Sequence, residues 1–310
     1  MKFIYFGSDI FSRVVLETLH LRGLTPSLIV TQPNRPKGRG LKITATEISN
    51  FAEKNNITCI KPHSLKDDNV VGRIKDENAD FIIIADYGKI LPSVVFSLSK
   101  KISLGVHPSL LPCYRGAAPI SYAICNGDKV TGVSIFKIET GTDSGDIISQ
   151  KEVLITDTDD VASMTLKLAR EGALLLDESI SAVNDGTAKL IPQKGNISFA
   201  AKLEKKDGKI NWGRSALEIR NLVRATLGWP SAYTYYKGKT IKIMRTALVD
   251  QSPNCQPATI VKISKDGIDI ATGDKVLRVQ RLQPDGKKEM DAYSFACGQR
   301  MQTEEKFDDG

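Results

Sequence analysis

Cysteine is scarce and scattered: Cys59, Cys113, Cys125, Cys255 and Cys297 are five in number, and no two form a CxxC pair. That excludes a disulfide framework and a zinc-ligand cluster as organising devices, and the thiols are expected to be reduced. No apolar run approaches the length of a membrane span. The first residues, Met1 to Gly7, enter a strand-like apolar segment at once, with no charged leader ahead of a long apolar stretch, so a cytoplasmic protein with no membrane partner is expected. No GxGxxG follows that segment. Gly7-Ser8-Asp9 stands there instead, which argues against a dinucleotide cofactor. Histidine is also rare, with His20, His63 and His107 the only three. Internal repeats and low-complexity tracts are missing, and no ligand cluster suggests a metal.

What is present suffices for two domains, since 310 residues exceed the usual size of a single core. The formal charge of +7 is unevenly placed. Residues 201–310 carry 20 Lys and Arg against 14 Asp and Glu, whereas residues 1–200 carry 23 against 22. A basic C-terminal third suits a polyanion such as RNA, because phosphate contacts supply affinity without sequence specificity.

Met1–Phe6 reads as a strand, Ile10–Leu21 as an amphipathic helix, Ser27–Thr31 as a second strand and Phe81–Ala85 as another, following a helical stretch that ends near Asn78. This alternation predicts a doubly wound, mostly parallel α/β sheet, and the wholly apolar strands fit a sheet covered on both faces. Such a sheet places its site beyond the carboxyl ends of its strands. A helix over Ala162–Ala182 should close this first domain, assigned to residues 1–190. Residues 191–206 read as a polar, lysine-rich linker, part of it packed back on the first domain. Beyond it, Ile210–Ala225 is a helix candidate. Five short β-like runs separated by glycine turns then predict a small barrel of the oligonucleotide-binding type over residues 207–302. Residues 303–310 form a charged tail expected to be disordered.

One stretch concentrates candidate chemistry: His107-Pro108-Ser109-Leu110-Leu111-Pro112-Cys113-Tyr114-Arg115-Gly116. A titratable imidazole precedes a loop stiffened by proline and ended by arginine and glycine. Downstream, Gly141-Thr142-Asp143-Ser144-Gly145-Asp146 supplies a carboxylate. A second loop, Asp86-Tyr87-Gly88-Lys89-Ile90-Leu91-Pro92, also follows a strand. A third, Gln32 to Lys42, carries Arg35, Lys37, Arg39 and Lys42 with no acid, a composition suited to phosphates. Cys113 lies in the key loop but has no adjacent histidine to activate it, and is read as a spacer.

These motifs resemble the folate-dependent formyltransferases, and the resemblance runs nearly the whole chain. In the second domain it includes Asp207-Gly208-Lys209-Ile210-Asn211-Trp212 and Leu282 to Lys288. It implies a Rossmann-like catalytic domain of the formyltransferase type, 10-formyltetrahydrofolate as formyl donor, and an amine as acceptor. It implies that His107 and Asp143 are catalytic: the imidazole donates toward the formyl oxygen, and Asp143 either orients it or accepts the amine's proton. Folate contacts are implied for Asp86, Tyr87, Gly88, Ile90, Leu91, Ser109, Leu110, Leu111, Pro112, Gly141 and Thr142, with main-chain groups of the 86–91 loop pairing with the pteridine edge.

The branch that acts on methionyl initiator tRNA is favoured by the basic loop, with Arg39 at its key position, and by the basic barrel. Arg35, Lys37, Lys42, Lys205, Lys206, Lys287 and Lys288 join it as RNA contacts, Arg115 is implied either to contact the substrate or to anchor the loop, and the protein is expected to be a monomer. The resemblance fails in two places. Gly105 stands where the family carries an asparagine whose amide helps hold the formyl group, and loss of such a donor costs about 3 kcal/mol in other enzymes. A loop amide, or a water admitted by the missing side chain, is expected to stand in for it. Asp86 stands where alanine is expected. The alternatives are a formyltransferase acting on a nucleotide-linked amino sugar, and an impaired homologue that binds folate and tRNA without turnover.

Overall fold

The computed structural model describes residues 1–37 and 42–308, and the chain divides into two compact units. The first holds residues 1–119, 130–154 and 163–201; the second holds the remainder.

In the first unit the apolar segments become strands because only a sheet covered on both sides satisfies their backbone while removing both faces from water. The strands of this unit are β1 (Phe3–Phe6), β2 (Leu28–Val30), β3 (Arg35–Lys37), β4 (Lys42–Thr44), β5 (Cys59–Ile60), β6 (Phe81–Ile84), β7 (Ile102–His107), β8 (Arg115–Gly116), β9 (Val130–Lys137), β10 (Ile147–Leu154) and β11 (Phe199–Ala200), of which β3 with β4 and β8 with β11 form separate two-stranded pairs. The main sheet runs β10-β9-β7-β6-β1-β2-β5, parallel from β7 to β5 and antiparallel where β9 joins β7 and β10 joins β9. Helix α1 (Ile10–Leu21) has the predicted bounds. It is followed by α2 (Glu47–Lys54), α3 (Asp68–Asp76), α4 (Ser93–Phe96), the short α5 (Pro119–Cys125), which falls in the second unit from Ile120 onward, and α6 (Val161–Asn184), which outruns its predicted span by one residue at the start and two at the end.

The register of β7 on β9 fixes what each face does. Gly105 lies across from Phe136 and His107 across from Ser134, so these four side-chain positions share one face. Val106 and Val133 point the other way, toward α6. There Gly172 brings the helix so near that an added Cβ would stand 2.9 Å from Val106 and 3.1 Å from Val133. One face is thus committed to packing, and the other is left for the loops that follow the strands.

The segment read as a linker is structured over much of its length. Ile191 bridges Ile147, and β11 pairs in parallel with β8. Residues 191–200 therefore form a strap across the loop that follows His107.

In the second unit the helix predicted from Ile210 begins only at α7 (Ala216–Ala225). The reason is a capping box: Ser215 Oγ accepts from the Glu218 amide at 3.2 Å, and the Glu218 carboxylate accepts from the Ser215 amide at 2.9 Å. The six preceding residues are not helical. Ile210 N–H donates to Tyr233 O, and the buried Trp212 indole donates to Thr234 Oγ1 at 3.0 Å. Strands β12 (Ala232–Tyr236), β13 (Lys239–Val249), β14 (Ile260–Ser264), β15 (Gly267–Ala271), β16 (Val276–Pro284) and β17 (Met290–Asp291) form an antiparallel sheet ordered β12-β13-β16-β15-β14, with β17 on β16, and α8 (Ala292–Gln299) follows.

The expected disorder of the tail is corrected up to Asp308. The tail closes the sheet. Ile260 N–H donates to Glu305 O and Phe307 N–H to Ala258 O beside β14, while Asp308 and Tyr235 exchange both backbone bonds on β12. The two open edges are thereby joined through one short segment, which satisfies peptide groups that an open barrel would expose. The charged composition misleads because Phe307, 2% exposed, sits in the barrel core with Trp212 and Tyr236.

Two predictions follow from this closure. Phe307→Ala should lower the stability of the second unit by about 3–5 kcal/mol, read by chemical denaturation of the full chain. Glu305 is pulled down to about 2, chiefly by the Tyr236 hydroxyl donating to it at 2.6 Å, then by the Gln302 amide and the Lys237 ammonium. A carboxyl depressed in the folded state stabilises the fold above its unfolded value of roughly 4.3, and that contribution is lost as pH falls toward 2. A denaturation series from pH 6 to 2 should therefore show a steeper acid loss for the native chain than for Glu305→Gln.

Candidate functional site

His107 ends β7, and Asp143 lies in the turn that carries the chain from β9 to β10. The register brings them together across 36 residues of sequence. Nδ1 of the buried imidazole faces Asp143 Oδ2 at 3.6 Å, and Nε2 lies 2.9 Å from the Tyr114 carbonyl. A carbonyl only accepts, so Nε2 carries a hydrogen, and Nδ1 is the nitrogen that meets the carboxylate. The ring is therefore spanned between two oxygens. The same Asp143 Oδ2 accepts the Gly116 N–H at 2.8 Å. Asp143 itself adopts a left-handed backbone, φ +47°.

That strained turn is held from outside. Gln193 Nε2 donates to Asp143 O and to Gly145 O, both at 2.8 Å, and its Oε1 accepts the Arg115 guanidinium at 2.6 and 3.1 Å. Arg115 thus spends its fork on Gln193 and clasps the His107 loop to the strap. Further along, Arg115 N–H donates to Ser198 O, Tyr114 N–H to Ser198 Oγ, and the Ala117 amide to Ala200 O. Gln193 and Ser198 escaped the sequence reading because they lie in what reads as linker, and no periodic or motif signal marks them.

Beneath the loop is a buried polar node. Ser134 Oγ donates to Ser109 O at 2.6 Å and accepts the Leu111 amide at 3.0 Å and the Gln150 amide at 2.8 Å, while Gln150 also reaches Leu111 O. Ser109 Oγ donates to Cys113 O. Ser109, Leu111 and Pro112, expected among folate contacts, are thus buried and engaged within the loop, while Leu110 is half-buried.

The 86–91 loop divides its labour. Tyr87 packs into the core against Phe6, and its O–H, pushed up to about 12 by burial, has no partner there. The Tyr87 carbonyl is held by Gln32 Nε2 and Ser8 Oγ. Gly88 (φ +74°) lies so near Gln32 that an added Cβ would meet its amide at 2.8 Å. Among the described residues, the amides of Lys89, Ile90 and Leu91 donate no backbone hydrogen bond, Leu91 is buried, and the Ile90 side chain is 89% exposed. Asp86 is pushed up to about 6 by the loss of water around its carboxyl and by the Asp9 carboxylate, although one side stays open to solvent, which screens part of the effect. Gly141 and Thr142 are exposed at the approach to Asp143. A cleft of about 540 Å³, lined by Phe96, Ser103, Ile138 and Thr140 among others, lies at the start of β7 and the end of β9, at the opposite end of β7 from His107.

The site at Gly105 corrects an expectation. The missing side chain admits no water: an added Cβ would stand 2.3 and 2.5 Å from the Phe136 ring and 2.8 Å from Ile138. The space is full.

Of the basic candidates, Arg35, Lys37 and Lys42 fall on the ribbon formed by β3 and β4, and Arg39 lies outside the described residues. Lys205 and Lys206 are exposed on a single 3-10 turn, with Lys206 paired to Glu204, and Lys287 and Lys288 are exposed on the turn between β16 and β17. Among the described residues no cluster suited to a metal occurs, and no helix is long and apolar enough to cross a membrane.

A family model described as formyl transferase matches residues 1–180, and one described as formyl transferase, C-terminal domain, matches residues 202–300. The chain belongs to the formyl transferase family. The methionyl-tRNA formyltransferase of Thermodesulfovibrio yellowstonii is 41% identical over 298 residues, covering 96% of each chain; that of Acetivibrio thermocellus is 38% identical, covering 97% of each. Among solved structures, HypX from Aquifex aeolicus in complex with tetrahydrofolic acid superposes with a TM-score of 0.68 at 16% identity, over 96% of this chain and 47% of that one, so this formyl transferase spans about half of HypX. WlaRD, a sugar 3N-formyl transferase with dTDP and 5-N-formyl-THF, gives 0.66 at 18% identity, over 93% and 99%. These two share the fold.

If the serine node holds the formyl transferase loop, Ser134→Ala should cost about 1–3 kcal/mol, because it strands the buried Leu111 amide without its acceptor. Urea denaturation of the variant checks this.

Proposed function

We propose that this chain transfers the formyl group of 10-formyltetrahydrofolate to the α-amino group of methionyl initiator tRNA, as a cytoplasmic monomer. The observation that carries this reading is the His107–Asp143 pair, clasped at the end of β7, in a chain whose curated relatives of that activity match it at 33–41% identity over nearly its whole length.

The donor supplies an activated one-carbon unit. The residues fit it: main-chain amides at Lys89 to Leu91 that donate no backbone hydrogen bond suit a pteridine edge, and the exposed Ile90 side chain offers apolar surface. Bond-making joins the amine nitrogen to the formyl carbon, bond-breaking releases the folate nitrogen, and the proton shed by the amine is returned to that nitrogen. Negative charge gathers on the formyl oxygen between these events. Nδ1 and Asp143 Oδ2 form the proton-handling pair, because a proton between them is favoured by both, and the Gly116 N–H keeps the carboxylate aimed. The Nε2 bond to Tyr114 fixes which nitrogen takes part. Arg115, bound to Gln193, acts as an anchor of the loop rather than a direct RNA contact. Arg35, Lys37, Arg39 and Lys42, together with Lys205, Lys206, Lys287 and Lys288, offer cations to the RNA phosphates.

The purified protein should formylate methionyl initiator tRNA and leave both elongator methionyl-tRNA and a 4-amino-sugar nucleotide unmodified. His107→Asn and Asp143→Asn should each lower kcat/KM by roughly 10²–10⁴-fold with folate still bound. Product on the amino sugar alone, or folate binding without product on any acceptor, would overturn this reading.

A further inference from the structure

We propose that Phe136 is a positioning residue for His107, a role it can fill because residue 105 is glycine. The inference rests on the reading of His107 as a reacting group. The β7–β9 register sets Phe136 directly across from Gly105 and on the same face as His107. Its ring lies over the glycine so closely that an added Cβ would fall 2.3 Å from Cε1 and 2.5 Å from Cζ. Any other residue at 105 must displace it.

The same ring meets the imidazole edge-to-face, with centroids 6.4 Å apart and planes at 88°. Both are out of water, Phe136 at 3% and His107 at 5% exposure. Phe136 is braced in turn by Leu111, Ile147 and Ile138. One hydrogen bond and one close ionic approach define two points on the imidazole, Tyr114 O at 2.9 Å from Nε2 and Asp143 Oδ2 at 3.6 Å from Nδ1. A planar ring held at two points can still swing about the line that joins them. Packing supplies the third point, and Phe136 supplies that packing. Edge-to-face contact adds direction to burial, since the positive edge of one ring seeks the negative face of the other. Asp143 is the charged group that faces the imidazole, so a swing of the ring changes both its aim and its proton affinity.

The test uses the full chain. Phe136→Leu retains an apolar side chain and removes the ring, and it should lower kcat by roughly tenfold while KM for folate and for methionyl-tRNA moves less than about twofold. Gly105→Ala should produce a similar loss by pushing the ring aside. The double variant should lose less than the product of the two single losses, because leucine yields where phenylalanine cannot. With only three histidines to assign, an NMR titration of the free protein should show the His107 resonance displaced in pH midpoint by Phe136→Leu, with His20 and His63 unmoved. Unchanged kcat and an unmoved His107 midpoint in Phe136→Leu would overturn the proposal, as would single losses that multiply in the double variant. The NMR reading stands even if the native chain formylates nothing, so failure of this inference is distinguishable from failure of the functional reading.

Discussion

One carboxylate oxygen organises the first unit's functional end. Asp143 Oδ2 meets the Gly116 amide and faces His107 Nδ1, so it ties the turn after β9 both to the end of β7 and to the loop beyond it. A hydrogen bond to an ionised acceptor contributes about 1.5–3 kcal/mol, comparable with the roughly 1–3 kcal/mol that a left-handed non-glycine residue costs, so it leaves little over to hold the rest of the loop. The balance comes from Gln193, whose amide binds the backbone on both sides of that turn while its carbonyl takes Arg115. The imidazole–carboxylate distance is therefore a property of three segments and not of two side chains.

This explains why the strap is ordered although its composition reads as linker. Residues 191–200 bury little apolar surface, and Phe199 and Ile197 are exposed. What orders them is backbone pairing with Arg115 and Gly116 and the complete use of the Gln193 amide. Polar networks of this kind stabilise only when every member is satisfied, since an orphaned buried group costs as much as a partner gains. The Ser134 node obeys the same rule with one hydroxyl serving three backbone or amide groups. Sheet, node and strap thus form successive layers on the face of β7 and β9 that α6 does not cover.

Much of this fold was legible because the governing signals are local. Apolar runs such as Phe81–Ile84, the periodicity of α1 and the Gly-rich turns of the barrel state their secondary structure within a few residues. The His107 loop and Asp143 were legible by resemblance, and the sheet register then brought them together. What escaped notice depends on partners far away in sequence: Gln193 lies 50 residues from Asp143, Ser198 lies 84 from Tyr114, and the seam at Glu304–Asp308 pairs with residues more than 40 positions earlier. No period or composition encodes such pairings. Tyr87 is a related case: its place in a loop motif suggested a ligand contact, yet the side chain is core and only the neighbouring main chain is available.

Gly105 shows how a departure from a motif should be weighed. Read along the chain, it is a deletion, one amide donor fewer. Across the sheet it is an exchange: the volume given up on β7 is occupied from β9 by Phe136, and Ile138 closes the remaining side. Restoring a side chain at 105 would therefore not restore the family arrangement, because it would first have to evict an aromatic ring braced by three apolar neighbours. The meaningful unit for comparison is the cross-strand pair, since packing conserves volume per pair rather than per position. At Gly105 the volume left open on one strand is taken by a ring from the next, and that ring meets the imidazole edge-to-face.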